Sequence, residues 1–360
     1  MKNNSRVIAI YLPQYHPIPE NDQWWGKGFT EWTNVTKARP LFKGQHQPNL
    51  PADLGFYDLR VPETRAAQAA MAKEYGIEGF CYYHYWFAGR RILERPFEEV
   101  LASGEPDFPF CLFWANETWS GIWHGNPKKI LIEQSYPGEE DHRKHFEYLL
   151  QAFQDKRYIR ADGKPVFLIY RPHQIPDVKS MIALWRKLAA EAGLEGLHLI
   201  ANNPYPDWNA EEHGFDACIN SRMPSRRGWV GWTQRPLKRL RQEYAIWRGH
   251  PTVYDYESIM GGLLRTGPMV SEEYPLAVPN WDNTPRSGAN GLVLQGATPE
   301  LFRVHMRDAV KLAQELPEGR RFIFVKSWNE WAEGNYLEPD RRFGSGYLQV
   351  IRDLVAPKKD

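Results

Sequence analysis

The fold class this sequence predicts is α/β: a single (β/α)8 barrel of the TIM type, with long βα loops forming one functional face. Three observations predict it. Eight short apolar, β-branched or aromatic runs recur along the 360 residues, helical patterns separate many of them, and most runs end in a polar or aromatic signature. The runs occupy residues 7–15, 79–86, 108–116, 165–171, 197–203, 215–222, 276–282 and 322–331. Several are continuously apolar rather than alternating, the pattern of parallel strands buried on both faces. At roughly 150 residues per domain the length also divides into about two. One barrel of this size is equally ordinary, and it accounts for 1–360 as one catalytic domain with loop insertions near 16–61 and 223–274. A doubly wound open sheet would normally carry a Gly-rich turn after its first strand, and none is present.

The helical segments carry start and stop signals. Pro62-Glu63-Thr64 opens one that runs to Gly76, with Pro in the first turn and Gly just past the end. Residues 142–156 form a second, with Phe146, Leu149, Leu150 and Phe153 on one face; His142 and His145, among charged neighbours, read as a solvated face. Residues 175–192 make a third, ended by Gly193, and Thr298-Pro299-Glu300 caps a fourth that continues to about residue 316.

The run endings are Gln14-Tyr15-His16, Tyr83-His84-Tyr85-Trp86, Asn116-Glu117, Tyr170-Arg171, Asn202-Asn203, Asn220-Ser221-Arg222, Asn280-Trp281-Asp282 and Asn329-Glu330-Trp331. Taken singly, each is equally a helix cap or a satisfied turn residue. In a barrel they converge on one mouth, where active sites sit. Eight endings of one chemical kind predict a polar, aromatic cleft. The candidate substrate-binding residues there are Tyr15, His16, Tyr83, His84, Tyr85, Asn116, Glu117, Arg171, Asn202, Asn220, Trp281, Asp282 and Asn329. Trp24, Trp25, Glu31 and Trp32 join them from the long first loop, and Trp119 from the third. His16 and His84 suit orientation of substrate or satisfaction of the core better than metal ligation.

Composition narrows the function. Lys plus Arg number 45 against 44 Asp plus Glu, a net charge of +1, which excludes a generic nucleic-acid binder. The chain holds 15 Trp, 18 Tyr and 17 Phe, more than a core alone needs, and their faces suit the C–H patches of sugar rings. No run approaches the roughly 20 apolar residues of a membrane span. Residues 7–12 are too short for the apolar region of a signal peptide and are closed by Pro13. Cys81, Cys111 and Cys218 each lie inside an apolar run, so they read as buried and reduced, which favours a cytoplasmic location. There is no P-loop, G-x-G-x-x-G, G-x-S-x-G or H-E-x-x-H, no Cys pair with zinc spacing and no D-x-D. Neither a cofactor nor a metal is expected.

The sharpest local feature is Ser327-Trp328-Asn329-Glu330-Trp331-Ala332-Glu333-Gly334 after the eighth run. Two carboxyls three residues apart, flanked by Trp, can be held at different pKa and so divide into acid and base. Glycoside hydrolysis needs such a pair. Spacing alone equally allows Glu333 to cap a helical turn and Glu330 to bind a neighbouring Arg. Glu117 is the alternative partner for Glu330 in a two-strand arrangement; otherwise it binds substrate hydroxyls. Residues 222–248 are strongly basic, with Leu237, Leu240, Tyr244 and Trp247 at helical spacing. This segment reads as a solvated amphipathic helix or as a contact for an anionic glycan or lipid-linked substrate.

The chain resembles the WbsX family, the glycoside hydrolase family 99-like domain of bacterial polysaccharide loci. The resemblance rests on Tyr11-Leu12-Pro13-Gln14-Tyr15-His16, Trp24-Trp25-Gly26-Lys27-Gly28-Phe29-Thr30-Glu31-Trp32, Gly79-Phe80-Cys81-Tyr82-Tyr83-His84-Tyr85-Trp86, Trp114-Ala115-Asn116-Glu117 and Trp328-Asn329-Glu330-Trp331-Ala332-Glu333-Gly334. It implies a (β/α)8 barrel acting on poly- or oligosaccharide. In the related endo-α-mannosidases the two acids of a Glu-Trp-x-Glu-Gly motif are catalytic, and they fall here on Glu330 and Glu333. The resemblance implies that one removes the proton of the sugar 2-hydroxyl, which attacks the anomeric carbon, while the other protonates the leaving group and then activates water, with net retention. Ala332 stands where those mannosidases typically carry His. The expected function is therefore a retaining glycoside hydrolase of bacterial surface-type polysaccharide. The alternatives are a glycosyltransferase of O-antigen, capsule or lipopolysaccharide synthesis, and a non-catalytic carbohydrate-binding barrel.

Overall fold

The computed structural model describes residues 4–121, 126–205, 208–224 and 248–355, with side chains of 126–129 left aside. Its centre is a parallel sheet of nine strands: β1 (Arg6–Tyr11), β2 (Gly79–His84), β3 (Phe110–Trp114), β4 (Lys164–Ile169), β5 (His198–Asn202), β6 (Ala217–Ile219), β7 (Glu273–Tyr274), β8 (Leu276–Ala277) and β9 (Phe322–Val325). The order is β7-β6-β5-β4-β3-β2-β1-β9-β8. β7 pairs with β6 and β8 pairs with β9. Only Pro275 lies between β7 and β8, and its carbonyl accepts from Phe324 N at 2.9 Å. The sheet thus curls until its two ends meet at one residue, and the seventh stave of a (β/α)8 barrel is two short pieces either side of a proline.

The strands form where the apolar runs stand because both faces are covered. Residues 166–169 and 322–325 are wholly buried, with the inward face filling the barrel and the outward face meeting helices. At the start of β2 only glycine fits: a Cβ on Gly79 would stand 2.4 Å from the Pro109 carbonyl oxygen. The outer helices include α1 (Pro62–Glu74), α2 (Glu139–Phe153), α3 (Val178–Glu191) and α4 (Pro299–Gln314). Pro opens α1. Asp177 caps α3 by accepting from Ser180 N at 3.3 Å, and Thr298 caps α4 by accepting from Leu301 N at 3.4 Å. α2 begins three residues earlier than the sequence predicts, with Glu139, Glu140 and Asp141 in its first turn, where the helix dipole favours acids. α3 begins three residues later, because Pro176 precedes the Asp177 cap.

One expectation on α2 is overturned. His142 and His145 are not on a solvated face; both are buried, His145 completely. They share the helical stripe of Phe146, Leu149 and Phe153. The His145 ring stacks on Trp86 at 4.6 Å, and its Nε2 lies 2.8 Å from His84 Nε2. Burial pushes the His84 imidazole down to about 3 and that of His145 also below its ordinary range. Two neutral rings can then share one proton as donor and acceptor.

The three cysteines are buried and free. Among the described residues no helix is long and apolar enough to cross a membrane. Of the basic segment predicted over 222–248, residues 225–247 lie outside the described residues; Arg222 pairs with Glu273.

Candidate active site

The parallel strands deliver their C-terminal ends to one mouth, and strand alternation decides what faces it. On β2, Tyr83 points into the mouth while His84 points outward to α2; Tyr85, just past the strand, turns in again. β9 ends its apolar run at Val325, and Lys326 follows directly into the cleft. The chain then makes a tight 3₁₀ turn, Trp331–Glu333, closed by Gly334 at φ 55°. Side chains three apart eclipse in such a turn, so Glu330 and Glu333 project together. Gly334 is required twice over: its φ is left-handed, and a Cβ would stand 2.8 Å from Asp282 N. The close approach lets Asp282 N donate to the Glu333 carbonyl at 2.7 Å.

The turn is held from behind. Asn329 accepts from Leu12 N at 2.8 Å and donates to Leu12 O at 3.0 Å. Tyr15 donates to the Asn329 carbonyl and accepts from Trp331 N at 3.1 Å. Trp331 stacks on Tyr336 at 3.9 Å and donates to Glu338 at 2.6 Å.

Two cations meet the two carboxyls. Arg286 donates to Glu333 Oε1 at 2.7 Å and stands 3.8 Å from Glu330 Oε2, while its Nε donates to Glu31 at 2.9 Å. Lys326 Nζ lies 3.6 Å from Glu330 Oε1 and 3.9 Å from Glu333 Oε2. Burial alone would raise the Glu330 carboxyl, but Lys326, the contact with Glu333 and Arg286 outweigh it and hold it below its ordinary value. Burial and the Glu330 charge push Glu333 up to about 8. The charge count agrees: three carboxyls face two cations, and one proton, on Glu333, makes the group neutral. Environments that push two carboxyls apart are what assign acid and base.

The cleft has two adjoining recesses. The shallower is lined by Leu12, Gln14, Tyr85, Trp119, Arg286 and Glu330. The deeper, open to solvent and spanning about 850 Å³, has Ile10, Phe113, Ile219 and Leu276 at its floor and Asn202, Ser221, Met223 and Trp281 around it. Tyr83, Glu117, Tyr170, Lys326 and Glu333 line both. Among the described residues no three His, Cys, Asp or Glu come together as a metal ion would require.

Of the residues the sequence singled out, the structure brings Glu330, Glu333, Tyr83, Tyr85, Glu117, Trp119, Asn202 and Trp281 to this cleft. Trp24 borders it, edge-on to Trp119 at 6.0 Å, and Arg171 holds Glu117 at 3.1 Å from the rim. The others stand elsewhere. Tyr15 and Asn329 are the ties just described. Trp32 is core, with its Nε1 donating to Tyr57 O at 2.8 Å. Asn116 joins the ends of β3 and β4 through Arg171 N at 2.7 Å and Arg171 O at 3.0 Å. Asp282 accepts from Gln45 at 2.8 Å and Thr284 at 2.6 Å. Asn220 is buried beside Cys218, His84 faces α2, and Trp25 packs near Phe29. His16 lines a separate recess with Arg91 and Arg95, and Glu31 reaches the site only through Arg286. Gln14 and Tyr170 stood among the run endings expected at the mouth without being named as substrate-binding, whereas Arg286 and Lys326 were missed as lining groups. A signal for Lys326 existed: a lysine directly after a wholly apolar strand and four residues before Glu330.

Over residues 7–351 the chain matches the family described as Glycosyltransferase WbsX. It belongs to that family. WxcX proteins from two strains of Xanthomonas campestris pv. campestris are 37% identical over 356 residues, 98% of this chain. The chain spans about half the length of these curated relatives, 50% in each case. Among solved structures, a glycoside hydrolase-like protein aligns with a TM-score of 0.62 at 14% identity, covering 99% of this chain and 94% of its own. The GH99 endo-alpha-mannosidase from Bacteroides thetaiotaomicron aligns with a TM-score of 0.56 at 16% identity, covering 99% and 97%. At these identities the likeness is one of fold, and the WbsX family chain shares that barrel.

Proposed function

We propose that this WbsX family barrel is a retaining glycoside hydrolase that works through the sugar 2-hydroxyl. The observation that carries the reading is the pair Glu330 and Glu333 on one turn, with their carboxyls shifted in opposite directions. Glu330, ionised, takes the 2-hydroxyl proton as the 2-oxygen attacks the anomeric carbon. The bond to the leaving oxygen breaks, and Glu333 gives that oxygen its proton. Water then attacks the anomeric carbon, losing a proton to Glu333; the bond to the 2-oxygen opens, and that oxygen recovers its proton from Glu330. Trp119, Tyr85, Trp281 and Tyr170 supply the rings a sugar packs on. The substrate class is a polysaccharide or oligosaccharide of bacterial surface type. The buried thiols fit a cytoplasmic site of action, and the basic 222–248 segment is assigned to contact with an anionic glycan or lipid-linked substrate.

The family's description as a glycosyltransferase favours a second reading, in which an acceptor sugar replaces water. One experiment separates them: bacterial surface glycans are incubated with the protein, with and without sugar nucleotides, and with either a chelator or an added divalent cation. Anomeric proton NMR follows the products. Release of reducing sugar with retained configuration, independent of nucleotide and chelator, supports hydrolysis. Strict dependence on a sugar nucleotide moves the protein to the transferases, and no product in either arm leaves a binding barrel.

A further inference from the structure

The Lys326 ammonium lines the cleft beside the two carboxyls. Its side chain is only 12% exposed, yet it lines both recesses. Nζ lies 3.5 Å from Tyr83 Oη, 3.6 Å from Glu330 Oε1 and 3.9 Å from Glu333 Oε2, and 5.2 Å from the centre of the Trp281 ring. The shortest of these is at the outer edge of hydrogen bonding and the others are beyond it. The ammonium is therefore held by charge and by an aromatic face. Glu330 Oε1, the oxygen nearest Nζ, is buried, as is Glu333 Oε2, and neither has a hydrogen-bond partner of good geometry, although Tyr83 and Glu333 stand close enough to stabilise the Glu330 charge. Burial would lower the Lys326 pKa, but Glu330 and Glu333 outweigh it, so the group stays charged.

We propose that Lys326 is a third catalytic residue, donating a hydrogen bond to the sugar 2-oxygen while Glu330 removes that oxygen's proton. This rests on the hydrolase reading above. A hydroxyl that donates to Glu330 Oε1 can accept from the ammonium beside it. As the proton leaves, negative charge grows on the 2-oxygen before it reaches the anomeric carbon, and a preorganised, largely buried cation stabilises that charge. Lys326 takes and gives no proton; electrons and atoms move as written for Glu330 and Glu333.

The test uses the full chain and a panel of α-glycosyl fluorides (manno, gluco, galacto and 6-deoxy-manno), with each 2-deoxy counterpart, read by fluoride release. Fluoride leaves without an acid, so the step at the 2-oxygen is isolated. For the best fluoride, Lys326→Met should lower kcat at least about 10²-fold, the loss seen when one preorganised donor to a developing oxyanion is removed, with KM changed less than about threefold. Lys326→Arg keeps the charge, moves the donor and should also lower kcat; it serves if the Met variant does not fold, as judged by melting temperature. A folded Lys326→Met protein that retains kcat on a fluoride whose 2-deoxy form is inert overturns the role of Lys326 alone. A 2-deoxy fluoride whose enzyme-dependent release, after subtraction of its faster spontaneous loss, is as fast as that of its parent overturns the hydrolase reading by the 2-hydroxyl, and this inference with it. Release of fluoride from none of the panel by the wild-type protein counts against both.

Discussion

Arg286 Nε donates to Glu31 Oε2 at 2.9 Å across 255 positions of sequence. The other end of the same guanidinium donates to Glu333 at 2.7 Å. The helix Glu31–Lys37 in the first loop and the turn Thr284–Ser287 after β8 are thereby joined behind the carboxyl pair. Glu31 is completely buried, so it has no water to replace Arg286.

Breaking this bridge leaves buried charge. Arg286→Met should destabilise the fold by about 3–5 kcal/mol, the usual cost of removing one partner of a buried pair, and Glu31→Gln by less, about 1–3 kcal/mol. Urea denaturation at pH 7 measures both. An unchanged midpoint in Arg286→Met would mean the bridge contributes nothing to stability.

The opposed carboxyl shifts set a pH profile. Glu330 must be ionised and is held below its ordinary value; Glu333 must be protonated and loses its proton as pH rises through about 8. The profile of kcat/KM should therefore be flat near neutrality, fall above about pH 8 and fall again only in acid. With an activated leaving group, Glu333→Gln should abolish the alkaline limb, and Glu330→Gln should lower turnover at least about 10²-fold at every pH. A wild-type rate that climbs steadily through pH 9 contradicts the assignment of Glu333 as the acid.

Glu338, behind the site, links the same physics to stability. It accepts from Tyr57 at 2.9 Å, Gln68 at 2.7 Å and Trp331 at 2.6 Å. Burial nevertheless raises its carboxyl to about 7, against 4.5 ordinarily. The native state then binds the proton more tightly than the unfolded chain. This contribution is fully present below the ordinary value and is lost as pH rises through about 7. Glu31 and Glu333 are raised too and act in the same direction. The stability difference between pH 5 and pH 8 should therefore shrink, not vanish, in Glu338→Gln, as chemical denaturation at the two pH values reports. An identical difference in variant and wild type would remove Glu338 from the account.

The indoles divide by role. Trp32 packs on Tyr15, Tyr57 and Trp331 with its Nε1 satisfied, so Trp32→Ala should cost about 3–5 kcal/mol of stability. Trp119 is half-buried in the cleft wall, and Trp119→Ala should weaken glycan binding by about 1–3 kcal/mol with little change in melting temperature. Measuring melting temperature beside glycan affinity separates the two; a Trp119 variant that loses stability first would make it a structural pin like Trp32.

The sequence by itself determined the barrel and the acidic turn. Residues 165–169 and 322–325 were legible because strands buried on both faces must be continuously apolar, and Glu330 and Glu333 because a local turn depends on neighbours three residues apart. Tertiary structure alone decided which polar ends reach the cleft. Tyr83 and His84 look equivalent in sequence, yet adjacent strand residues face opposite ways, and the barrel's curvature sends one to the cleft and the other to α2. His142 and His145 carry no sign of burial until α2 is rotated onto the barrel. Arg286 was invisible for a physical reason: its meaning lies in Glu31 and Glu333, and side chains so far apart in the chain meet only when the ring of strands closes.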